Sequence, residues 1–472
     1  MTETIKQTLN DKAWARWLAL ILVASMMFFA YMFVDVMAPL KSMLDPQLGW
    51  NSTAYGTYRS AEYILNVCGF LIIAGFILDK TGIRFTGLLS ASLMLVGALI
   101  KLYGISDLMV GTGLETWLNS WWTSMPASAK MASLGFMIFG CGCEMAGTTV
   151  SKAIAKWFKG KEMALAMGLE MAIARVGVFA IFSISPLIAD SFGTVVAPVA
   201  FCTVLLFIGL ISYSVFSVMD TRLDRQLGKD KADGEASDEE FKASDIKNIF
   251  SSHIFWVVAL LCVLYYSAIF PFQRYAANML QCNLGISETQ ASDIFRWFPV
   301  GAAALTPLLG YYLDRKGKGA SMLILGAILM IVCHLTFAFV VPATKSELIT
   351  YSAIVVLGIS FSLVPAALWP SVPKIMDKRF LGSAYSLIFW VQNIGLAFVP
   401  ILIGKVITWS NPGVTDPMQY DYTLPMCCFA SLGVLALIFG IILKAMNTVH
   451  HYGLEDPNIK EDFEDVRIDG EA

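Results

Sequence analysis

The sequence predicts an all-α integral membrane protein, with twelve transmembrane helices in two pseudo-symmetric six-helix bundles. Three observations carry that expectation. Of the 472 residues, 57% are hydrophobic and 15% charged, with a mean hydropathy of +0.66, so most of the chain must be solvated by lipid. Apolar stretches of spanning length recur twelve times, too long and too apolar for barrel strands; helices then satisfy the backbone polar groups inside a bilayer. A polar loop motif also occurs twice, at matching places in the two halves of the chain.

The first run, 17–40, is long enough to span and lacks a small-residue cleavage site, so it reads as an anchor and not a signal peptide. Runs at 54–78, 86–104, 131–155, 163–189 and 193–219 complete a first unit, residues 1–219. Residues 220–250 are polar, mixed in charge and almost free of aromatics, the composition of a linker. Runs at 252–276, 287–313, 320–341, 347–372, 381–408 and 424–446 form a second unit, residues 251–446, followed by a tail at 447–472. Alternate connections are basic: Lys80 and Arg84; Lys156, Lys159 and Lys161; Arg315, Lys316 and Lys318; Lys374, Lys378 and Arg379. The intervening ones hold chiefly Lys41, Lys130 and Lys345. This asymmetry puts both termini, the linker and the tail in the cytoplasm. The connection 105–129 is then external, and its Trp117, Trp121 and Trp122 suit a belt at the membrane surface.

The repeated loop reads Gly75-Phe-Ile-Leu-Asp79-Lys80-Thr-Gly82-Ile-Arg84 after the second span and Gly310-Tyr-Tyr-Leu-Asp314-Arg315-Lys-Gly317-Lys318-Gly319 after the eighth. Its glycines let helix ends turn and approach closely. Its aspartates can cap a helix or pair with a cation, so Asp79, Lys80, Arg84, Asp314 and Arg315 are candidate gating residues. A second match aligns Ala166 through Arg175 and Gly177 with Ala384 through Asn393 and Gly395. Duplication of a six-helix unit with a site between the halves is a secondary-transporter pattern.

Glu144 and Arg175 are full charges inside spans. Twelve residues before Lys156 and fourteen after Lys161, both lie roughly 18–21 Å from that basic turn, near the middle of the bilayer. Charges at that depth are costly, and they serve either as a helix-locking ion pair or as a site for a polar solute. Arg59, Tyr63 and Asn66 share one face of the second span. Arg59 and Arg296 fit a site or the external interface equally. Tyr31 and Asp35 share a face of the first span. Tyr265, Tyr266, Phe270, Phe272 and Arg274 approach the outer end of the seventh. Trp369 and Pro370 lie on the tenth, Gln392 and Asn393 on the eleventh; for aromatics, lipid or core packing is the plainer role. Asp35 and Glu144 are the carboxylates able to carry a coupled proton. No phosphate-binding Gly-Lys-Ser/Thr loop occurs, which excludes direct ATP drive, and no nucleophile–base pair or metal set marks an enzyme or a cofactor. A net charge of −3 points to no nucleic-acid partner, and the nine cysteines read as small buried hydrophobes.

The two loops resemble the signature of the major facilitator superfamily. Trp157 through Glu162 and Met167 through Arg175, together with Tyr265 through Phe272, Leu357 through Leu363, Ala367 through Pro370, and Gly382 through Ala397, are similar to its lysosomal dipeptide carriers, the branch called major facilitator superfamily domain-containing protein one. That resemblance covers roughly residues 20–445 and implies dipeptide uniport, with Glu144 and Arg175 in the positions of the branch's site charges. Around them, Arg59, Tyr63, Asn66, Tyr265, Tyr266, Phe270, Trp369, Gln392 and Asn393 are the expected contacts for the rest of a short peptide. Arg274 and Arg296 depart from the branch and favour more anionic solutes. Met1–Arg16 shows no acidic dileucine signal, which favours a bacterial inner or plasma membrane over a lysosome. The expectations are a monomer in a lipid bilayer moving a small molecule, with proton-coupled symport, organic-anion exchange or a non-transporting receptor as alternatives.

Overall fold

A computed structural model describes residues 8–159, 161–227, 246–377 and 381–457. Lys378, Arg379, most of the expected linker and the end of the tail lie outside the described residues. Among the described residues the regular structure is entirely helical: α1 (Ala13–Asp35), α2 (Lys41–Leu48), α3 (Ser52–Leu65), α4 (Leu71–Ile105), α5 (Gly113–Asn119), α6 (Ala127–Trp157), α7 (Met163–Phe192), α8 (Val196–Gln226), α9 (Ile246–Phe250), α10 (His253–Leu284), α11 (Glu288–Phe295), α12 (Trp297–Lys316), α13 (Gly319–Leu335), α14 (Val341–Thr344), α15 (Glu347–Ile375), α16 (Leu381–Ser410) and α17 (Thr423–His450), with short 3-10 and π turns between some of them.

Among the described residues ten helical runs are long and apolar enough to span. The twelve expected spans are recovered by two local features. Residues 52–105 form one run but hold two spans, reversed at Gly82, where φ is 74°. The eighth span is broken at Arg296 between α11 and α12, and it carries Asp293, Arg296 and four prolines or glycines, Pro299, Gly301, Pro307 and Gly310, that dilute its hydropathy. Gly317 in the second loop also has positive φ, 69°, at the position equivalent to Gly82. Both loops demand a residue without a Cβ at the same point, which is the structural counterpart of the sequence repeat. The last helix of the first half runs on to Gln226, seven residues past the expected boundary. The first ends at Asp35, and the remainder of its apolar run leads through a 3-10 turn, Ala38–Leu40, into α2.

In the first half α1 packs on α7 and α8, and α6 packs on α3 and α4. In the second, α10 packs on α16 and α17, and α13 on α15 and α17. The halves meet mainly through α3 against α16 and α7 against α12. On the face opposite the basic connections this contact is backbone to backbone. A Cβ on Gly56 would lie 2.3 Å from the Pro400 carbonyl, and one on Gly404 2.3 Å from that of Ser52. The Thr53 and Thr408 hydroxyls bond across the seam at 2.9 Å. Toward the basic face the inner surfaces separate: Glu144 is half-buried, while Thr148 and Ser151, one and two turns further along the same face of α6, are exposed, as is Phe389 of α16. The molecule is therefore sealed on one side and open on the basic side.

At the basic face, ion pairs fasten α1 to α7. Arg16 reaches Glu162 at 3.2 Å and Lys161 reaches Asp11 at 2.8 Å. The Lys161 hydrogen bond, then those from Thr8, hold the Asp11 carboxyl well below its usual range. A backbone hydrogen bond, and after it Arg16, lower that of Glu162. A carboxylate stabilised in the folded state contributes above its unfolded value, about 4, and the contribution fades as pH falls through the folded one. This latch should hold from pH 8 to 5 and loosen only below about pH 4. Hydrogen exchange of the amides of 9–16 across that range checks it; loosening near pH 6 would contradict the assignment.

Candidate functional site

Side chains of both halves meet on the side that faces the basic connections. From the first half, α7 projects Arg175, whose guanidinium carbon lies 5.8 Å from the Tyr31 ring centroid on α1 and 5.5 Å from that of Phe270 on α10. An arginine held between one ring from each half keeps its donors free for a ligand while the apolar faces desolvate its plane. Glu144 on α6 is half-buried, and Tyr31 and Tyr63 are within electrostatic reach of it. Among the described residues neither Glu144 nor Arg175 forms an ion pair, so the helix-locking alternative is not realised here. Glu170 is also half-buried and close enough to interact with Arg175.

The second half supplies an aromatic wall. Tyr266 stacks on Phe270 with centroids 5.5 Å apart and accepts a hydrogen bond from Trp369 Nε1 at 3.3 Å; Trp369 stacks on Phe389 at 4.7 Å. The end of α15 that carries Trp369 is softened by Pro365, Pro370 and Pro373. Pro373 has no N–H to give the Trp369 carbonyl, and the Tyr385 hydroxyl donates to it instead at 3.2 Å. Gln392 and Asn393 are buried on α16, and Gln392 accepts from the Cys262 thiol at 3.3 Å. Tyr265 leaves the expected set. One residue before Tyr266, it points about 100° away around the helix and donates to the Leu323 carbonyl inside the second half.

Above these side chains, toward the sealed face, lies a charge network that crosses the halves. Arg59 sits 3.6 Å from Asp35 and 3.7 Å from Glu62, and donates to the Val34 carbonyl at 2.6 Å. Arg274 pairs with Asp35 and lies 3.6 Å from Glu62, while Gln273 Nε2 donates to Asp35 at 2.7 Å. All five side chains are buried. Arg59 is therefore in the interior, not at the external interface, and its guanidinium is committed to this network. Arg59, Tyr63, Phe270 and Arg274 do line a small cavity closed by Pro271, Leu396 and Pro400. Asn66 is fully buried and bonds to the Glu62 carbonyl of its own helix. Arg296 lies between the halves, bonded to Ser183 at 2.9 Å and Asp293 at 2.8 Å. Glu62, Gln273 and the buried Lys101, whose Nζ is 4.3 Å from the Phe33 ring centroid, were not singled out from the sequence. A carboxylate three residues after Arg59 inside an apolar run was the available signal for Glu62.

A sequence profile described as Major Facilitator Superfamily matches residues 23–279 and 275–450. The chain belongs to the major facilitator superfamily. It is thus a multi-pass membrane transporter with a small-molecule substrate, in a family of transporters and not of enzymes. The Lysosomal dipeptide transporter MFSD1 of Danio rerio is 28% identical over 406 residues, covering 83% of this chain and 80% of the relative. The Homo sapiens protein of that name is 27% identical over the same extent. Among solved structures, the nucleoside transporter NupG aligns with a TM-score of 0.66 at 12% identity, covering 90% of this chain and 99% of that one. A bacterial homologue of the human lysosomal transporter Spinster, inward-facing and occupied, aligns at 0.63 and 12%, covering 92% and 96%. These structural likenesses show the major facilitator fold.

The superfamily loops lie at the basic face. Asp79 pairs with Lys152 at 2.5 Å, and both are well exposed. Arg84 reaches Asp224 at 3.1 Å and Asp220 at 3.9 Å; Lys156 joins the same two carboxylates at 2.7 and 2.9 Å, and Trp157 Nε1 donates to Asp220. Lys80 and Arg315 each lie over an aromatic ring of their own helix, Phe76 and Tyr311. The polar tail after α17 docks on the second loop, where Lys318 N donates to the Glu455 carbonyl at 2.9 Å, and on the end of α15, where Lys374 donates to the Gly453 carbonyl at 3.0 Å.

Proposed function

We propose that this transporter carries short peptides, dipeptides foremost, by alternating access and without an obligatory coupling ion. The observation that carries the reading is a pair of opposite charges inside the spans, Glu144 and Arg175, neither in an ion pair among the described residues, with Arg175 held between one ring from each half. A dipeptide is a zwitterion whose ends need opposite charges at a fixed separation. Glu144 accepts the ammonium, and Arg175 holds the carboxylate through two parallel N–H donors. Tyr63 from the first half, with Tyr266, Phe270 and Trp369 from the second, contacts the remainder, while Gln392 and Asn393 back the wall. The printed names of the relatives, lysosomal dipeptide transporters, support the same class. In this reading the basic face is cytoplasmic, and the exposed Asp79–Lys152 pair rearranges when that face closes.

Reconstitution in liposomes tests the proposal. Labelled dipeptide should exchange by counterflow with no pH gradient across the membrane. Failure with every di- and tripeptide would remove the peptide assignment. Strict dependence on an inward proton gradient would replace uniport with symport. Glu144 is then the carrier group, because Asp35 is already neutralised by Arg59 and Arg274.

A further inference from the structure

On the sealed face, α2 of the first half inserts Lys41 into the second half. The side chain is 4% exposed. Its Nζ lies 4.8 Å from the Tyr420 ring centroid and 5.9 Å from those of Tyr275 and Tyr422. It donates to Asn278 Oδ1 at 3.1 Å, the same oxygen that accepts from the Tyr422 hydroxyl at 2.5 Å. Asn278 is itself fixed by a bond to the Pro417 carbonyl at 3.1 Å, and Tyr275 by one to the Pro400 carbonyl at 3.0 Å. Among the described residues no carboxylate pairs with this ammonium. Three aromatic faces and one amide oxygen satisfy it, the chemistry of an aromatic cage.

The ownership of the parts matters. Tyr275, Tyr420, Tyr422 and Asn278 all belong to the second half, and Lys41 to the first. Movement of the halves that opens this face must draw Lys41 out and break the 3.3 Å bond from the Tyr420 hydroxyl to Asp45 of α2, while Tyr275, Tyr422 and Asn278 stay braced within their own half. We propose that Tyr275, Tyr420, Tyr422 and Asn278 form a binding site for a primary ammonium group, filled by Lys41 when this face is closed and exposed when it opens. Resting on the peptide reading above, the incoming occupant is the amino terminus of a peptide, captured at the mouth before it reaches Glu144. Return of Lys41 then expels the ammonium inward, so closure and delivery are one step.

The test uses full-length Lys41→Ala in detergent, with ethylammonium as the probe and ethanol as its neutral isostere. Ethylammonium should raise the melting temperature of the variant by several degrees, leave the unsubstituted protein unmoved because its cage is full, and be matched by no effect of ethanol. Equal shifts in both proteins, or none in the variant, overturn the site. Should Lys41→Ala not fold, the Thr53→Cys/Thr408→Cys pair reports closure in its place. Tyr420→Phe keeps the ring face and loses only the bond to Asp45, whereas Tyr420→Leu loses both and forms the disulfide roughly two- to thirtyfold more slowly than Tyr420→Phe, the range a desolvated cation–π contact sets. Indistinguishable rates would sink the proposal. Neither readout contains a peptide, so failure of the substrate assignment leaves both interpretable.

Discussion

Arg175→Ala lowers saturable dipeptide uptake in liposomes by at least about a hundredfold, the scale of losing a desolvated, hydrogen-bonded charge partner. Glu144→Gln, which keeps shape and removes charge, does the same through the other end of the peptide. The melting temperature of each variant moves by no more than a few degrees, because neither side chain holds an ion pair among the described residues. Those two measurements together carry the argument. Unfolding of either variant would mean that the charges brace the helices, and unchanged uptake in a folded variant would mean that the peptide is held elsewhere. Arg175→Lys should recover little, since a single ammonium cannot match both carboxylate oxygens and loses the flat stacking between Tyr31 and Phe270.

Arg274→Ala is expected to act mainly on stability. Removing one member of a buried charge network leaves Asp35 and Glu62 sharing Arg59 alone, at a cost of about 3–5 kcal/mol. Arg274 is also the only cation of that network contributed by the second half. Its loss therefore weakens the sealed face more than either bundle, and disulfide formation between cysteines at 53 and 408 should slow along with the fall in melting temperature. Asp35→Asn combined with Arg274→Gln should cost less than the two changes added together, because the pair is in contact. Strict additivity would show that the two groups do not sense each other.

Much of this was legible in the chain. Hydropathy placed the spans, because lipid forces a continuous apolar run on each helix, although α8 and α10 run seven and eight residues past their expected ends. The repeated loop marked Gly82 and Gly317 as equivalent, and both adopt the positive φ that requires glycine. Glu144 and Arg175 stood out because ionised groups are scarce at bilayer depth. The eighth span was less plain, since Arg296 breaks it into α11 and α12 where the sequence shows one run. Tyr265 and Tyr266 are adjacent and chemically identical, so only packing tells which faces α13 and which joins the aromatic wall.

By itself the sequence determined the class, the helices, the duplication and the two charges of the candidate site, since each follows from local composition or from a period along one helix. Tertiary structure alone decided the partners. It joined Asp35, Glu62 and Arg274 across 239 positions of chain, put Lys41 among Tyr275, Tyr420 and Tyr422, and left Glu144 and Arg175 without each other. The physical reason is that lipid solvates an apolar side chain about as well as a neighbouring helix does. Hydropathy therefore specifies which segments enter the bilayer, while close contacts of glycine, buried charge and aromatic faces select which helices meet there.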